Sequence, residues 1–172
     1  DHLRTSRTEI GRLDTILKQF LQAMRPTTPE RRPVELHELL EESLVALSPE
    51  LESREIRVEL DLAEEVPTLD LDPTQIKQAI YNIIRNAYQA VGQPDGEISI
   101  KSSATDYEVK LSISDNGSGI SPEVMGAMFE PFKTTKTNGT GLGMLIVRRI
   151  LREHGGELEV ESEVGAGTTV TL

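Results

Sequence analysis

The sequence predicts an α+β domain, in which a mixed, mostly antiparallel sheet carries helices on one face. Short runs that alternate apolar with polar residues are typical of strands that bury a single face. Longer segments between them place apolar residues three or four apart, as amphipathic helices do. Parallel strands covered by helices on both sides would be continuously apolar, whereas these strands alternate.

Composition and charge limit what the chain can do. Its 172 residues suffice for one globular domain with its own core and an appendage. A formal net charge of −11 argues against a nucleic-acid partner, because phosphate affinity depends on Lys and Arg. The sequence has no cysteine, which excludes disulfides, thiolate zinc sites and a cysteine nucleophile. No apolar run approaches the roughly 20 residues of a membrane helix, so we expect a cytoplasmic domain whose parent protein could be membrane-anchored.

The first 25 residues carry a heptad pattern with apolar residues at both seam positions. A helix lying on the domain would give a similar pattern, but the proline-rich segment that follows favours a separate bundle helix. We therefore predict a dimerisation helix over 1–25, a linker over 26–33 and a globular domain over 34–172. The seam residues are Leu3, Ile10, Leu17 and Met24 in one row and Leu13 and Phe20 in the other.

The globular domain is expected to begin with a helix and two strands. Leucines keep helical spacing over 36–47, and Pro49 is expected to end this helix. Strict alternation over 56–62 predicts a strand with one wet face. A second, shorter strand is expected at 68–71.

A second helix begins after Asp72, which caps it, with Pro73 in its first turn. Asn82 and Asn86 lie one turn apart on the flank of its apolar stripe. Side-chain carbonyl oxygens are suitable magnesium ligands when phosphates and waters supply the rest, although two solvated amides would give the same pattern. The stripe consists of Ile76, Ile80, Ile83, Ile84, Ala87 and Val91.

The second half of the domain predicts a hairpin, a helix and two more strands. Alternating runs at 98–100 and 109–113, joined by a polar turn at 105–106, indicate the hairpin. A third helix is expected over 141–154, ended by Gly155 and Gly156. The final strands lie at 158–160 and 170–172, with Gly165 and Gly167 between them.

Asp115 is the first candidate binding residue. One more step along the inward phase of strand 109–113 places its carboxylate on the buried side. Gly117 and Gly119 follow it and would let a flat ligand approach the backbone. A carboxylate at the bottom of a pocket suits an exocyclic amine, as on adenine, and Thr168 falls in phase on the last strand. The alternative is that Asp115 only closes a turn after the strand.

A glycine-rich run precedes the third helix: Gly139-Thr140-Gly141-Leu142-Gly143. Glycines at a helix N-terminus leave backbone N–H groups available to phosphate oxygens, and the helix dipole adds to the attraction. Lys133 and Lys136 would add positive charge. The run matches neither the Walker phosphate loop nor the dinucleotide-binding fingerprint.

Taken in order, five segments resemble the N, G1, F, G2 and closing glycine boxes of sensor histidine kinases. The segments are Asn82-Ile83-Ile84-Arg85-Asn86-Ala87, Asp115-x-Gly117-x-Gly119, Phe129-Glu130-Pro131-Phe132, Gly139-Thr140-Gly141-Leu142-Gly143 and Gly165-x-Gly167-Thr168. Thr134-Thr135-Lys136 is similar to the short lid of the nitrogen-regulation branch, and Glu9-Ile10-x-Arg12-Leu13 resembles the second helix of the dimerisation and phosphotransfer domain.

This resemblance implies a two-layer α/β sandwich of the Bergerat type, shared with Hsp90, DNA gyrase B and MutL. It implies that Asp115 binds the adenine amine, with Thr168 assisting through water, that Asn86 holds Mg²⁺, and that Asn82 supports metal and phosphate. Lys136 and the amides around Gly141 and Gly143 would hold the β and γ phosphates. The remaining residues that the resemblance assigns to the nucleotide pocket are Gly117, Gly119, Lys133, Gly139, Thr140 and Leu142.

The implied activity is ATP-dependent protein-histidine kinase, acting as a homodimer through the N-terminal helix and passing the phosphoryl group to a response-regulator receiver domain. His2 lacks the acidic neighbour and the proline of the family's acceptor, and His37 and His154 are expected to be surface or capping residues. We therefore expect the chain to bind ATP and Mg²⁺ without autophosphorylating alone. The alternatives are an anti-sigma-type serine kinase and a non-catalytic, ATP-gated dimerisation module.

Overall fold

The computed structural model describes residues 20–21, 28–92, 95–134 and 140–172. The strands are β1 (Arg32–Val34), β2 (Arg57–Asp61), β3 (Leu69–Leu71), β4 (Glu97–Ala104), β5 (Val109–Asp115), β6 (Glu159–Glu163) and β7 (Gly167–Thr171). The helices are α1 (Leu36–Ser53), α2 (Pro73–Ala90), α3 (Pro122–Ala127) and α4 (Gly143–His154). No helix within these ranges is long and apolar enough to cross a membrane. Residues 20 and 21 are helical, and the rest of the predicted dimerisation helix lies outside the described residues.

The main sheet has five strands in the order β2-β4-β5-β7-β6. β2 pairs with β4 in parallel and the other neighbours pair antiparallel, which confirms the mixed, mostly antiparallel sheet. The parallel pair requires a crossover, and the chain makes it through β3 and α2. β1 and β3 form a separate antiparallel pair.

Helix α2 is the central helix and packs against α1, α4 and the sheet. Its predicted apolar stripe is buried throughout, with no member more than 8% exposed. The predicted cap is also confirmed, because the Asp72 carboxylate accepts from the N–H groups of Thr74 at 3.0 Å and Gln75 at 3.1 Å. Short-range signals therefore fixed the helix that carries Asn82 and Asn86.

Helix α1 corrects the expectation that Pro49 ends the first helix, because it continues through the proline to Ser53. Proline has no N–H to donate to the carbonyl oxygen of Val45, four residues back. The Ser48 hydroxyl donates to that oxygen instead, at 3.0 Å. Buried Leu51 extends the packing beyond the proline, so tertiary contacts offset the lost backbone bond.

A short strand overlaps the segment predicted as a linker. Strand β1 pairs Arg32 with Leu71 and Pro33 with Asp70, so the last two residues of the predicted linker belong to a strand. The pairing is long-range, and no alternation in so short a segment could have indicated it.

Charged pairs on the exposed side of the sheet join the edge strand β2 to β4. Arg57 donates to Glu97, and this hydrogen bond, together with the attraction of the two charges, raises the pKa of Arg57. Lys101 Nζ lies 3.7 Å from Asp61 Oδ2. Exposed pairs of this kind add little stability, but they keep a sheet edge polar and unsuited to pairing with another chain.

Candidate functional site

Two strands of the main sheet and two helices bring most of the predicted site residues together. Asp115, at the end of β5, is the register partner of Thr168 on β7. The loop after Asp115 is fastened to the end of α2, where the Ser118 N–H donates to Ala90 O at 3.1 Å. Across the site, a Cβ added to Gly143 at the start of α4 would lie 3.9 Å from Asn86 Nδ2.

Asp115 serves a turn, as the alternative interpretation expected. Its Oδ1 accepts from the Gly117 N–H at 2.9 Å, and the residue is half-buried. A carboxylate offers about four acceptor positions on two oxygens, so the turn does not use up the group. The structure therefore supports the turn without removing a binding role.

One side of the site, called the floor here, is formed by the loop after β5 and the start of β7. Ser162 organises this floor, although sequence reasoning did not single it out. Its Oγ accepts from the Ile120 N–H at 2.8 Å, donates to Gly167 O at 2.9 Å, and lies 2.8 Å from Thr168 Oγ1. Because the single Ser162 proton goes to Gly167 O, Thr168 must donate to Ser162, which leaves the Thr168 oxygen as an acceptor. The signal was present: Ser162 continues the inward phase of Leu158 and Val160 as a polar residue.

The glycines of the floor have a packing role in addition to the ligand approach predicted for Gly117 and Gly119. A Cβ on Gly119 would lie 2.0 Å from Glu163 O, and one on Gly167 would lie 1.9 Å from Asp115 O. At Gly117 it would lie 2.4 Å from Ala90 O. These glycines let protein backbones approach each other, so folding alone requires them, whatever a ligand adds.

The two asparagines are partly withdrawn from solvent. Both are half-buried, and Asn82 Nδ2 is buried without a hydrogen-bond partner among the described residues. A buried donor of this kind costs about 1–3 kcal/mol unless an acceptor is supplied. Asn86, one turn further along α2, faces the start of α4 at Gly143.

The loop that precedes α4 forms the other part of the candidate site, called the loop side here. Its described residues are more exposed to solvent than those of the floor. Residues 130–134 are exposed, and Lys133 Nζ lies 3.9 Å from Glu130 Oε2. Among the described residues of this loop, a close backbone approach occurs at Gly141, where φ is +66° and a Cβ would lie 2.6 Å from the Phe132 carbonyl carbon. Thr140 is half-buried, and the predicted site residues Lys136 and Gly139 lie outside the described residues.

Leu142 and the aromatic residues of this loop serve packing. The Leu142 side chain is fully buried in the core, so only its backbone is available to a ligand. Arg148 on α4 lies over the Phe129 ring, 4.4 Å from its centroid. The Phe132 ring stacks on Phe20 of the N-terminal segment, with centroids 5.2 Å apart. These contacts join the loop to α4 and to the segment before the domain.

Comparison with known proteins identifies what this arrangement resembles. Residues 71–172 match the family model described as histidine kinase-, DNA gyrase B- and HSP90-like ATPase. Among curated proteins, the sensor histidine kinase ZraS of Escherichia coli K12 is 37% identical over 164 residues, which are 95% of this chain and 35% of that protein. The chain thus spans about a third of this relative.

Solved structures agree with the sequence match. The catalytic domain of histidine kinase ThkA superposes with a TM-score of 0.74 at 32% identity, covering 83% of this chain and 93% of that one. ThkA in complex with response regulator protein TrrA has a TM-score of 0.80 at 27% identity, covering 99% of this chain and 49% of that one. Full-length ShkA in complex with AMPPNP has a TM-score of 0.83 at 26% identity, covering 97% of this chain and 36% of that one.

Proposed function

The chain belongs to the histidine kinase-, DNA gyrase B- and HSP90-like ATPases and contains a catalytic domain of the histidine kinase type, and from this premise we propose how its own residues act. In this proposal ATP with Mg²⁺ binds between α2, β5, β7 and α4, and its γ-phosphoryl group is presented to a histidine. The observation that carries the proposal is the meeting of Asn86 with Gly143 beside the paired Asp115 and Thr168.

The base would bind at the floor. Asp115 accepts hydrogen bonds, and the exocyclic amine of adenine donates them. Thr168 Oγ1 has its proton directed to Ser162, so it is set to accept from a water molecule beside the base. Both groups are held by neighbouring hydrogen bonds, so little side-chain entropy is lost on binding.

The phosphates and the metal would bind between α2 and α4. The side-chain amide oxygen of Asn86 is a suitable ligand for Mg²⁺. A single protein ligand suffices when phosphates and waters complete the octahedral coordination. The buried Asn82 Nδ2 lacks an acceptor among the described residues, which a phosphate oxygen or a water bound to it would supply. The N–H groups at the start of α4 form the positive end of the helix dipole, and they face the same region. The bound ion would neutralise phosphate charge.

Phosphoryl transfer needs positioning and charge neutralisation more than covalent help from the protein. We assign the acceptor to a histidine outside the catalytic domain, and the next recipient to an aspartate of a response-regulator receiver domain. The complex of the similar ThkA with the response regulator TrrA supports such a partner. The heptad pattern over 1–25 supports a homodimer through that helix. A cytoplasmic location belongs to the same proposal, because an ATP-dependent kinase needs a supply of ATP. Similarity to histidine kinase catalytic domains favours this activity over the serine-kinase and dimerisation alternatives.

The test is calorimetric titration of this chain with AMPPNP, with and without Mg²⁺. We expect micromolar binding in the parent. Asp115→Asn keeps an oxygen for the Gly117 N–H but loses the charge, so we expect roughly 10- to 100-fold weaker binding with the fold retained. Asn86→Ala should make the residual affinity insensitive to Mg²⁺.

Asp106→Asn is the matched control, because it makes the same change at an exposed turn residue. It should bind AMPPNP like the parent. No heat and no thermal stabilisation of the parent by AMPPNP would refute the proposed function.

A further inference from the structure

We propose that His154 is a positioning residue for the nucleotide site: it joins the end of α4 to the cap of α2 and thereby sets how the far ends of these helices meet the triphosphate. The inference rests on the proposed function, since it concerns the same site. It starts from a histidine that the sequence suggested to be a surface or capping residue.

The hydrogen bonds of His154 define its protonation state. Its Nδ1 lies 2.7 Å from Ile150 O, and a carbonyl oxygen can only accept, so Nδ1 carries the proton. Its Nε2 lies 3.0 Å from the backbone nitrogen of Asp72, which can only donate. His154 is therefore a neutral Nδ1–H imidazole whose other nitrogen accepts from another helix.

Asp72, whose N–H donates this bond, lies at a junction of three segments. Its Oδ1 caps α2, while its Oδ2 accepts from the Glu30 N–H at 3.0 Å. The Arg31 guanidinium donates to Glu153 O, the residue before His154, at 2.6 Å. The segment that leads into the domain is thus bonded to both helices at the point where His154 joins them.

The junction lies at the opposite end of the helix pair from the site. α2 and α4 run antiparallel, since Asp72 meets His154 at one end and Asn86 approaches Gly143 at the other. At 1.5 Å per residue, Asp72 and Asn86 are about 21 Å apart along α2, and Gly143 and His154 about 17 Å along α4. A small change of angle at the junction therefore moves Asn86 relative to the amides of α4.

The floor of the site is bonded to the sheet and to α2, where the Ser118 N–H donates to Ala90 O, so a shift of α4 relative to α2 should leave it in place. Asp115 and Thr168 are held by the sheet register and by Ser162. Loss of the His154 bond should consequently affect contacts to the phosphates and spare contacts to the base. A residue needed only for folding would lower affinity for every nucleotide alike.

The experiment compares His154→Leu with His154→Gln, whose side-chain oxygen can still accept from the Asp72 N–H. Dissociation constants for AMPPNP with Mg²⁺ and for AMP are measured on each variant. In His154→Leu we expect AMPPNP to bind about tenfold more weakly and AMP to change less than about twofold, as for the loss of one partly buried hydrogen bond. His154→Gln should recover most of the AMPPNP affinity.

His37→Leu is the matched control, because His37 is also a partly buried histidine, bonded through Nε2 to Ser102 Oγ at 2.8 Å, away from α4. It should leave the AMPPNP to AMP ratio unchanged. Equal loss for both nucleotides in His154→Leu, or no recovery in His154→Gln, would overturn the inference while leaving the proposed function intact. A parent chain that binds neither nucleotide would overturn the proposed function and the inference with it.

A measurement on the parent covers the case in which His154→Leu does not fold. Nitrogen-15 spectra of the ring should show the Nδ1–H tautomer for His154. The opposite tautomer would show that Nε2 does not accept from Asp72 and would end the proposal.

Discussion

The floor and the loop side of the candidate site are built differently. At the floor, Gly119 and Gly167 bring backbones together so closely that an added Cβ would lie about 2 Å from a carbonyl oxygen, and Ser162 bonds three neighbours. On the loop side, residues 130–134 are exposed and the close backbone approach is at Gly141. We therefore expect substitutions at the floor to affect folding and the proposed binding together, whereas substitutions of exposed loop residues should affect mainly the proposed binding.

A glycine in a motif associated with nucleotide binding can therefore be required by packing of the protein itself. Gly167 would be required even in a protein that bound nothing, because the oxygen it accommodates belongs to Asp115. Stability and affinity should consequently change together at the floor and separately in the loop. Four substitutions test this contrast, beginning with the largest expected effect.

Gly167→Ala should be the most damaging change. Its φ of +115° is a conformation that side chains rarely adopt, and its Cβ would lie 1.9 Å from Asp115 O. We expect a loss of at least about 4 kcal/mol in the free energy of unfolding, measured by urea denaturation, from backbone strain and overlap together. Gly165→Ala is the control: its φ is +82°, but its surroundings are open, so only about 1–2 kcal/mol should be lost. Equal losses would contradict the close packing of the floor.

Ser162→Ala comes next. It removes the acceptor of the Ile120 N–H and of the Thr168 hydroxyl and the donor to Gly167 O. We expect about 2–3 kcal/mol of destabilisation, because buried polar groups lose their partners, together with weaker AMPPNP binding. Thermal unfolding and calorimetry report the two effects. Ser103→Ala, at an exposed position on β4, should change neither. Normal affinity in a destabilised Ser162→Ala would separate Thr168 from the base.

Gly141→Ala probes the close approach on the loop side. The added Cβ would meet the backbone at Phe132 and Lys133, but these residues are exposed and can shift. We expect about 1–2 kcal/mol of destabilisation, with a larger relative loss of AMPPNP affinity. Gly143→Ala should fold normally, since its Cβ would find only ordinary contact with Asn86. Loss of AMPPNP binding in a stable Gly143→Ala would support phosphate contact at the start of α4.

Lys133→Gln should have the smallest effect. The side chain is exposed, so stability should change by less than about 0.5 kcal/mol. We expect roughly two- to threefold weaker AMPPNP binding at low salt, and no difference from the parent at high salt, because screening removes the attraction. Lys110→Gln, on β5 beside Glu108, is the control with unchanged affinity. A salt-independent loss for Lys133→Gln would indicate a direct, desolvated phosphate contact.

Much of the fold could be predicted because its signals are local. The buried stripe of α2, the Asp72 cap and the β4–β5 hairpin each follow from residues that lie close together in the sequence. Asp115 and Thr168 could be placed on the sheet because alternation continues for one more residue beyond an apolar run. The match of residues 71–172 to the ATPase family confirmed the family that the motif order suggested.

The sequence alone was enough to predict the α+β class, the order of the elements other than β1 and α3, and the residue types of the candidate site. Other features became visible only in the folded structure. They are the parallel pairing of β2 with β4 and the continuation of α1 through Pro49. The three hydrogen bonds of Ser162 and the hydrogen bond between His154 and Asp72 belong to the same group. The physical reason is distance along the chain. A periodic pattern states which face of an element is buried, but a hydrogen bond between residues 82 positions apart exists only after packing has brought both helices together.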